Sequence, residues 1–257
     1  MFDTNKIKLY LGKCEDILEE LIKNGVKVDA IITDVPQGIT NHEDDIPIEF
    51  NLMWEKLYKI KKSENTPIIL FTNQPYTSEL ICSNLKDFKY MKYWQKDRPS
   101  CHLNAKKQPL RDVEEIAIFY EKQCYYNPLM KKGKPCNSIG KAEGIKQEKV
   151  GNYNKFKGVN RISEEKYPRS LMVYKRPHPP IHQTQKPIEL LEDLILTYSK
   201  EGDIILDFTM GSGSTGVAAI RNNRNFIGIE KNKQHYYNAV DRLNSLFLFT
   251  NTQVEVV

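Results

Sequence analysis

The 257-residue chain contains no apolar run approaching the roughly 20 residues that span a bilayer, which argues against a helical membrane protein. Its opening residues, Met1-Phe2-Asp3-Thr4-Asn5-Lys6, lack the apolar stretch of a signal peptide, so a cytoplasmic location is expected. The cysteines at 14, 82, 101, 124 and 136 are odd in number and scattered, with no C-x-x-C pair. That spacing argues against a disulfide framework or a zinc ribbon. His178 and His182 lie four apart, but Pro179 and Pro180 prevent a helical metal pair between them. No metal site is expected, and no internal repeat is evident.

What is present suits a globular α/β domain. Hydrophobic residues make up 40% of the chain, enough for a substantial core. The net charge of +5 is mild, but it is unevenly spread. From Glu121 to Pro187 there are 15 Lys/Arg against 5 Asp/Glu, leaving the remainder of the chain acidic. A basic middle of this kind points to a polyanion-binding face or to a solvated lysine-rich loop.

Short apolar runs with no helical period alternate with segments of helical spacing. Strands are expected at 28–33, 67–72, 90–95, 116–120, 171–174, 203–207 and 225–230; helices are expected at 14–23, 50–60, 77–85, 188–198, 217–220 and 235–246. This alternation predicts one α/β domain, doubly wound around a mostly parallel sheet. Between Lys122 and about Lys166 the pattern dissolves into Lys, Gly, Asn, Tyr and Pro, so a poorly regular insertion over about 121–170 is predicted. Tyr125, Tyr126, Tyr153, Phe156 and Tyr167 interleave there with Lys and Arg, an arrangement suited to phosphate contact and base stacking or to a small local cluster.

Two constellations carry chemistry. Gly211, Gly213 and Gly216 spell G-x-G-x-x-G after an expected strand, and the acid Glu230 ends the next one. Glycines permit a tight turn and close ligand approach, while a strand-end carboxylate can accept both hydroxyls of a ribose. The unit therefore reads as an adenosine half-site. Asp207, immediately before the turn, would repel a pyrophosphate but favours an ammonium and a sulfonium, and fewer than 30 residues follow Glu230, where dinucleotide folds usually continue for several βα units. S-adenosylmethionine is thus expected over a dinucleotide. The second constellation is Asp34-Val35-Pro36-Gln37, at the end of the first apolar strand. A carboxylate and a backbone carbonyl there can accept the two protons of an exocyclic amino group and free its lone pair for in-line attack.

With these motifs, the chain resembles the beta-group amino methyltransferases of DNA found in restriction–modification systems and phages. That family orders a D-P-P-Y motif, then H-P-T-Q-K-P, then D-P-F-x-G-S-G-T-T. Here the counterparts are Asp34-Val35-Pro36-Gln37, His182-Gln183-Thr184-Gln185-Lys186-Pro187 and Asp207-Phe208-Thr209-Met210-Gly211-Ser212-Gly213-Ser214-Thr215. The resemblance implies a Rossmann-like methyltransferase whose catalytic half comes first (about 1–120) and whose cofactor half comes last (about 171–257). Target recognition would lie in the basic insertion.

It further implies that Asp207, Phe208, Gly211, Ser212 and Gly213 surround the methionine part of S-adenosylmethionine. Glu230 would hold the ribose, and Thr184 and Lys186 would complete the pocket. Asp34 and the Val35 carbonyl would receive the amino group of a base flipped out of double-stranded DNA. Adenine is the expected base because Asp leads the motif; cytosine-N4 transfer and a DNA-binding protein that has lost catalysis are the alternatives, with a nucleotide-dependent oxidoreductase as the outlying rival. The resemblance also makes a homodimer an expectation. This sequence departs from the family at Val35, which lacks proline's rigidity, and at Gln37, which replaces an aromatic whose stacking on the flipped base is worth on the order of 1–3 kcal/mol.

Overall fold

The computed structural model describes residues 7–39, 45–137, 162–179, 185–246 and 255–256. These fall into two compact units, residues 1–127 with 170–257 and residues 128–169.

The larger unit is built on a nine-stranded sheet. Its strands are β1 (Ile7–Leu11), β2 (Ala30–Asp34), β3 (Ile68–Thr72), β4 (Phe88–Ser100), β5 (Arg111–Phe119), β8 (Leu171–Val173), β9 (Ile204–Asp207), β10 (Asn225–Glu230) and β11 (Glu255–Val256). Two further strands among the described residues, β6 (Lys131–Asn137) and β7 (Ile162–Lys166), belong to the smaller unit. The sheet order is β11-β1-β10-β9-β2-β3-β5-β4-β8. All pairings are parallel except those that β5 makes with β3 and β4. The expected doubly wound, mostly parallel α/β fold is therefore the observed one.

The central strands read as continuous apolar runs because both sheet faces are covered. Successive side chains point to opposite faces, so Ile32, Phe71 and Phe226 enter one core while Ile31, Leu70 and Ile227 enter the other. The first core is closed by helices α4 (Ile188–Tyr198), α5 (Ser214–Arg221) and α6 (Lys233–Ser245). The second is closed by α1 (Cys14–Lys23), α2 (Phe50–Ile60) and α3 (Tyr76–Ser83).

The chain leaves β9 toward β10 on one side and leaves β2 toward β3 on the other. β9 and β2 lie side by side, with Ala30 opposite Ile205 and Ile31 opposite Leu206. Their carboxyl ends flank the topological switch point, the crevice where open α/β sheets place ligands.

Within the poorly regular insertion, β6 and β7 pair antiparallel, with Lys131 opposite Lys166. Their described side chains are mostly exposed, so no apolar alternation marks them and backbone pairing alone defines the ribbon. Strand β1, which lies between β11 and β10, was not expected from the sequence, although Ile7 and Leu9 are fully buried. β4 and β5 are much longer than the apolar windows at 90–95 and 116–120, since their outer halves carry charged and polar residues past the sheet.

Candidate active site

The glycine turn is shaped by backbone demands. Gly211 and Gly213 take left-handed φ values of 52° and 70°, a region that side chains strain to adopt. A Cβ on Gly213 would also come within 3.1 Å of the Ala239 Cβ on α6, whereas one on Gly211 would meet nothing within 4 Å. The turn thus leans on α6 at one glycine and faces open space at the other. It is tied across to β10 by Glu230, whose carboxylate oxygens accept from the Gly211 amide at 2.9 Å and the Asn232 amide at 2.7 Å. From α6, the Arg242 guanidinium donates to the Ser212 carbonyl at 3.0 Å and to the Ser214 hydroxyl at 3.0 Å.

Asp207, at the end of β9, is buried. Burial pushes its carboxyl up to about 6, against the lowering effect of hydrogen bonds from Thr215, Thr33 and Thr209. The Thr33 hydroxyl donates to it at 2.6 Å and the Thr209 amide at 3.2 Å. The Thr33 and Thr209 hydroxyls lie 2.7 Å apart, and Thr209 donates onward to the Asp34 carbonyl at 2.9 Å. A short chain of hydroxyls therefore stitches the ends of β9 and β2 together.

Asp34 ends β2 and its side chain is 28% exposed. One carboxylate oxygen lies 2.5 Å from the Lys186 ammonium, which is also 3.2 Å from Glu114 on β5; Glu114 in turn pairs with Lys96 on β4 at 2.6 Å. Charge alternates along this row. Burial raises the Asp34 carboxyl above its usual range, while the Lys186 charge works the other way. Burial also works against the Lys186 ammonium, but Asp34 and Glu114 outweigh it and hold the lysine protonated above its usual range.

Beyond Asp34, Val35 is buried. The Gln37 and Gly38 amides both donate to one oxygen of Asp45, at 2.6 and 2.8 Å. The Gln37 side chain is buried too, with its carboxamide 3.4 Å from both the Phe71 carbonyl and the Asn73 amide nitrogen.

Ten of the twelve site residues expected from the sequence line one cleft of about 690 Å³, which runs from the glycine turn past Asp34. Of these, Asp34, Val35, Pro36, Gln37, Lys186, Asp207, Phe208, Gly211, Ser212 and Glu230 line it, while Gly213 sits behind as the N-cap of α5. Thr184 lies outside the described residues, as do His182, Gln183, Tyr153 and Phe156. The resemblance assigned Lys186 to the cofactor pocket, yet its ammonium rests on Asp34. Tyr126 packs edge-on against Tyr198 and Lys200 lies over the Tyr125 ring, so this pair belongs to a local cluster.

Sequence reading missed Glu114, Lys96 and Asp45, together with the turn after β1, where the Gly12 amide donates to the Glu230 carbonyl at 3.0 Å. Charged residues at strand ends were the available signal, but their convergence depends on the β3–β5–β4 register. Among the described residues, no group of three or more His, Cys, Asp or Glu is placed to hold a metal, and no helix is long and apolar enough to cross a membrane.

A doubly wound sheet whose switch point joins a glycine turn, a strand-end acid and a second strand-end aspartate defines a Rossmann-like methyltransferase fold and site. The chain belongs to the DNA methylase family: the model of its N6 and N4 enzymes matches residues 28–241. The chain is 53% identical over 64 residues to the type II methyltransferase M2.DpnII of Streptococcus pneumoniae, a match covering 25% of this chain and 24% of the relative. The aligned stretch thus spans about a quarter of that curated relative. Over nearly the full length, the fold is similar to a crystal structure of an M1.HpyAVI–SAM complex, with TM-score 0.65 and 26% identity, covering 93% of this chain and 99% of the other. The cytosine-N4-specific PvuII DNA methyltransferase shares the fold at TM-score 0.64 and 14% identity, covering 97% and 89%.

Proposed function

We propose that this protein transfers the methyl group of S-adenosylmethionine to the exocyclic amino group of a base flipped out of duplex DNA, with adenine N6 as the acceptor. The observation that carries this reading is the hydroxyl-stitched junction of β9 and β2, which sets the glycine turn beside Asp34 in one cleft.

The residues present suit the cofactor. Each Glu230 oxygen already accepts one backbone amide and retains a lone pair, so two ribose hydroxyls can still be received. The open space at Gly211 leaves room for close approach to the backbone. Buried Asp207, once ionised, favours the ammonium and sulfonium of the ligand. When bound, the cofactor supplies an electrophilic methyl with a good leaving group.

The chain's own residues then position and polarise the acceptor. Asp34 accepts one amino proton and the Val35 carbonyl the other, which localises the lone pair toward the methyl. As the nitrogen gains the methyl it becomes cationic, and Asp34 takes up the departing proton. The Lys186 charge favours the ionised form of Asp34, opposing the desolvation that raises its carboxyl. Gln37 offers a hydrogen-bonding edge where an aromatic would stack.

Incubation with methyl-labelled S-adenosylmethionine and unmethylated duplex DNA of mixed sequence, followed by nucleoside analysis, tests the reading. Label in N6-methyladenine is expected. Label in N4-methylcytosine overturns the base assignment alone, cofactor binding without transfer points to a binding protein, and absence of cofactor binding overturns the whole reading.

A further inference from the structure

The β4–β5 hairpin continues past Glu114 and Lys96 to a tip that the proposed reaction does not use. Asp34 stands level with Phe71, and Phe71 with Ile116 of β5. Arg111 begins β5 five residues before Ile116, so the ribbon projects roughly 17 Å beyond the level of Asp34 at 3.3–3.4 Å per residue. The base of its tip forms part of the cleft wall through Ser100, Cys101 and Arg111. At the tip the chain turns sharply. Cys101 takes a left-handed φ of 67°, an uncommon conformation for a residue with a Cβ, and caps a single 3-10 turn over His102–Asn104. That turn holds Leu103 at 101% exposure, the most exposed large apolar side chain among the described residues. Lys106 and Lys107 follow, exposed, and Arg111 closes the tip. Among the described residues none of these three cations has a carboxylate within ion-pairing distance.

An apolar side chain held fully in water by a strained turn, ringed by unpaired cations, is poorly explained by folding. It suits a partner with an anionic surface and an apolar interior, which is the chemistry of a DNA duplex. We propose that this hairpin enters the duplex beside the target and that Leu103 wedges into the base stack while Lys106, Lys107 and Arg111 meet the flanking phosphates. A two-stranded ribbon fits a major groove, and apolar side chains are established wedges between base steps. The wedge fills the gap left by an extruded base. This matters more here than with an aromatic at position 37, because Gln37 provides less stacking to hold that base in the pocket. The inference rests on the methyltransferase reading above.

The test compares Leu103→Ala, Leu103→Phe and Leu103→Lys with the wild type, using labelled S-adenosylmethionine and mixed-sequence duplex DNA. The side chain touches solvent, so all three should fold, and an unchanged dissociation constant for S-adenosylmethionine checks this. Leu103→Ala and Leu103→Lys should each lower transfer into duplex about tenfold, while Leu103→Phe, which keeps an apolar wedge, stays within twofold of wild type. Wild-type rates in the Ala variant would overturn the wedge. So would a Lys variant equal to or faster than wild type, because the tip would then only track the backbone. Those outcomes leave the methyltransferase reading intact; a wild-type protein that binds cofactor but transfers nothing removes that reading, and the wedge with it.

Discussion

In the proposed reaction Asp34 is held between two demands: it must be ionised to accept an amino proton, yet its desolvation favours the neutral acid. Lys186 works against the desolvation, and Glu114, itself paired with Lys96, helps keep that lysine charged and in place. Lys186→Met should therefore lower the rate of transfer about a hundredfold at pH 7, with partial recovery at pH 9 as Asp34 ionises unaided, while cofactor affinity stays within about threefold. If Lys186 instead held the cofactor, affinity would fall and the pH profile would keep its shape; calorimetry and single-turnover rates across pH separate the two. Asp207 supplies a second pH-dependent signal. Its carboxyl is raised from 3.8 to about 6, so between those values the folded protein binds more protons than the unfolded chain. The contribution of this group to stability is therefore largest below about pH 4 and is lost as the pH rises to about 6. Cofactor affinity should run the other way, rising about tenfold from pH 5 to pH 7 as the carboxylate forms. Asp207→Asn should flatten both trends, and a titration of binding and Tm against pH reads them together.

Elements whose own residues dictate their shape were legible in the sequence. Helices at 14–23, 50–60 and 188–198 begin and end where the apolar spacing predicts, because each buries one stripe against the sheet. β1, β6 and β7 were not legible: β1 is only five residues long and alternates apolar with polar positions, and the ribbon formed by β6 and β7 is mostly polar. The site was half legible for the same reason. Asp34, Asp207, the glycines and Glu230 lie at strand ends visible in sequence, whereas Glu114 and Lys96 reach Lys186 only through antiparallel pairing between β3, β5 and β4. Packing beneath the turn gives a prediction at this scale. A Cβ on Gly228 of β10 would fall within 2.3 Å of the Met210 sulfur and 2.7 Å of the Phe226 ring. Gly228→Ala should thus displace Met210, costing about 1–3 kcal/mol, lowering Tm by several degrees and weakening cofactor binding. Gly25→Ala adds a Cβ that meets nothing, at a φ of 71°; it should lower Tm through backbone strain and leave cofactor affinity unchanged. Thermal melts with and without S-adenosylmethionine distinguish the two effects.

At the scale of the whole molecule, cofactor half and acceptor half come from opposite ends of the chain and meet only because β9 and β2 are neighbours. The larger unit keeps its own anchors at both points where residues 128–169 depart from it. The Asn127 amide donates to the Thr197 carbonyl at 2.8 Å, and the Ser170 carbonyl accepts from the Tyr93 amide at 2.8 Å. The segment carries eleven Lys/Arg against four Asp/Glu, a balance that suits contact with phosphates. Replacing 128–169 with a flexible Gly/Ser linker should leave Tm within a few degrees and the cofactor dissociation constant within about twofold. Duplex affinity should fall at least tenfold, and the slope of log affinity against log salt should become shallower, by roughly 0.9 for every phosphate that the protein no longer neutralises. A variant that no longer binds cofactor would show that the segment supports the catalytic fold. Unchanged DNA affinity with the same salt slope would move target binding elsewhere, leaving the β4–β5 hairpin to carry it.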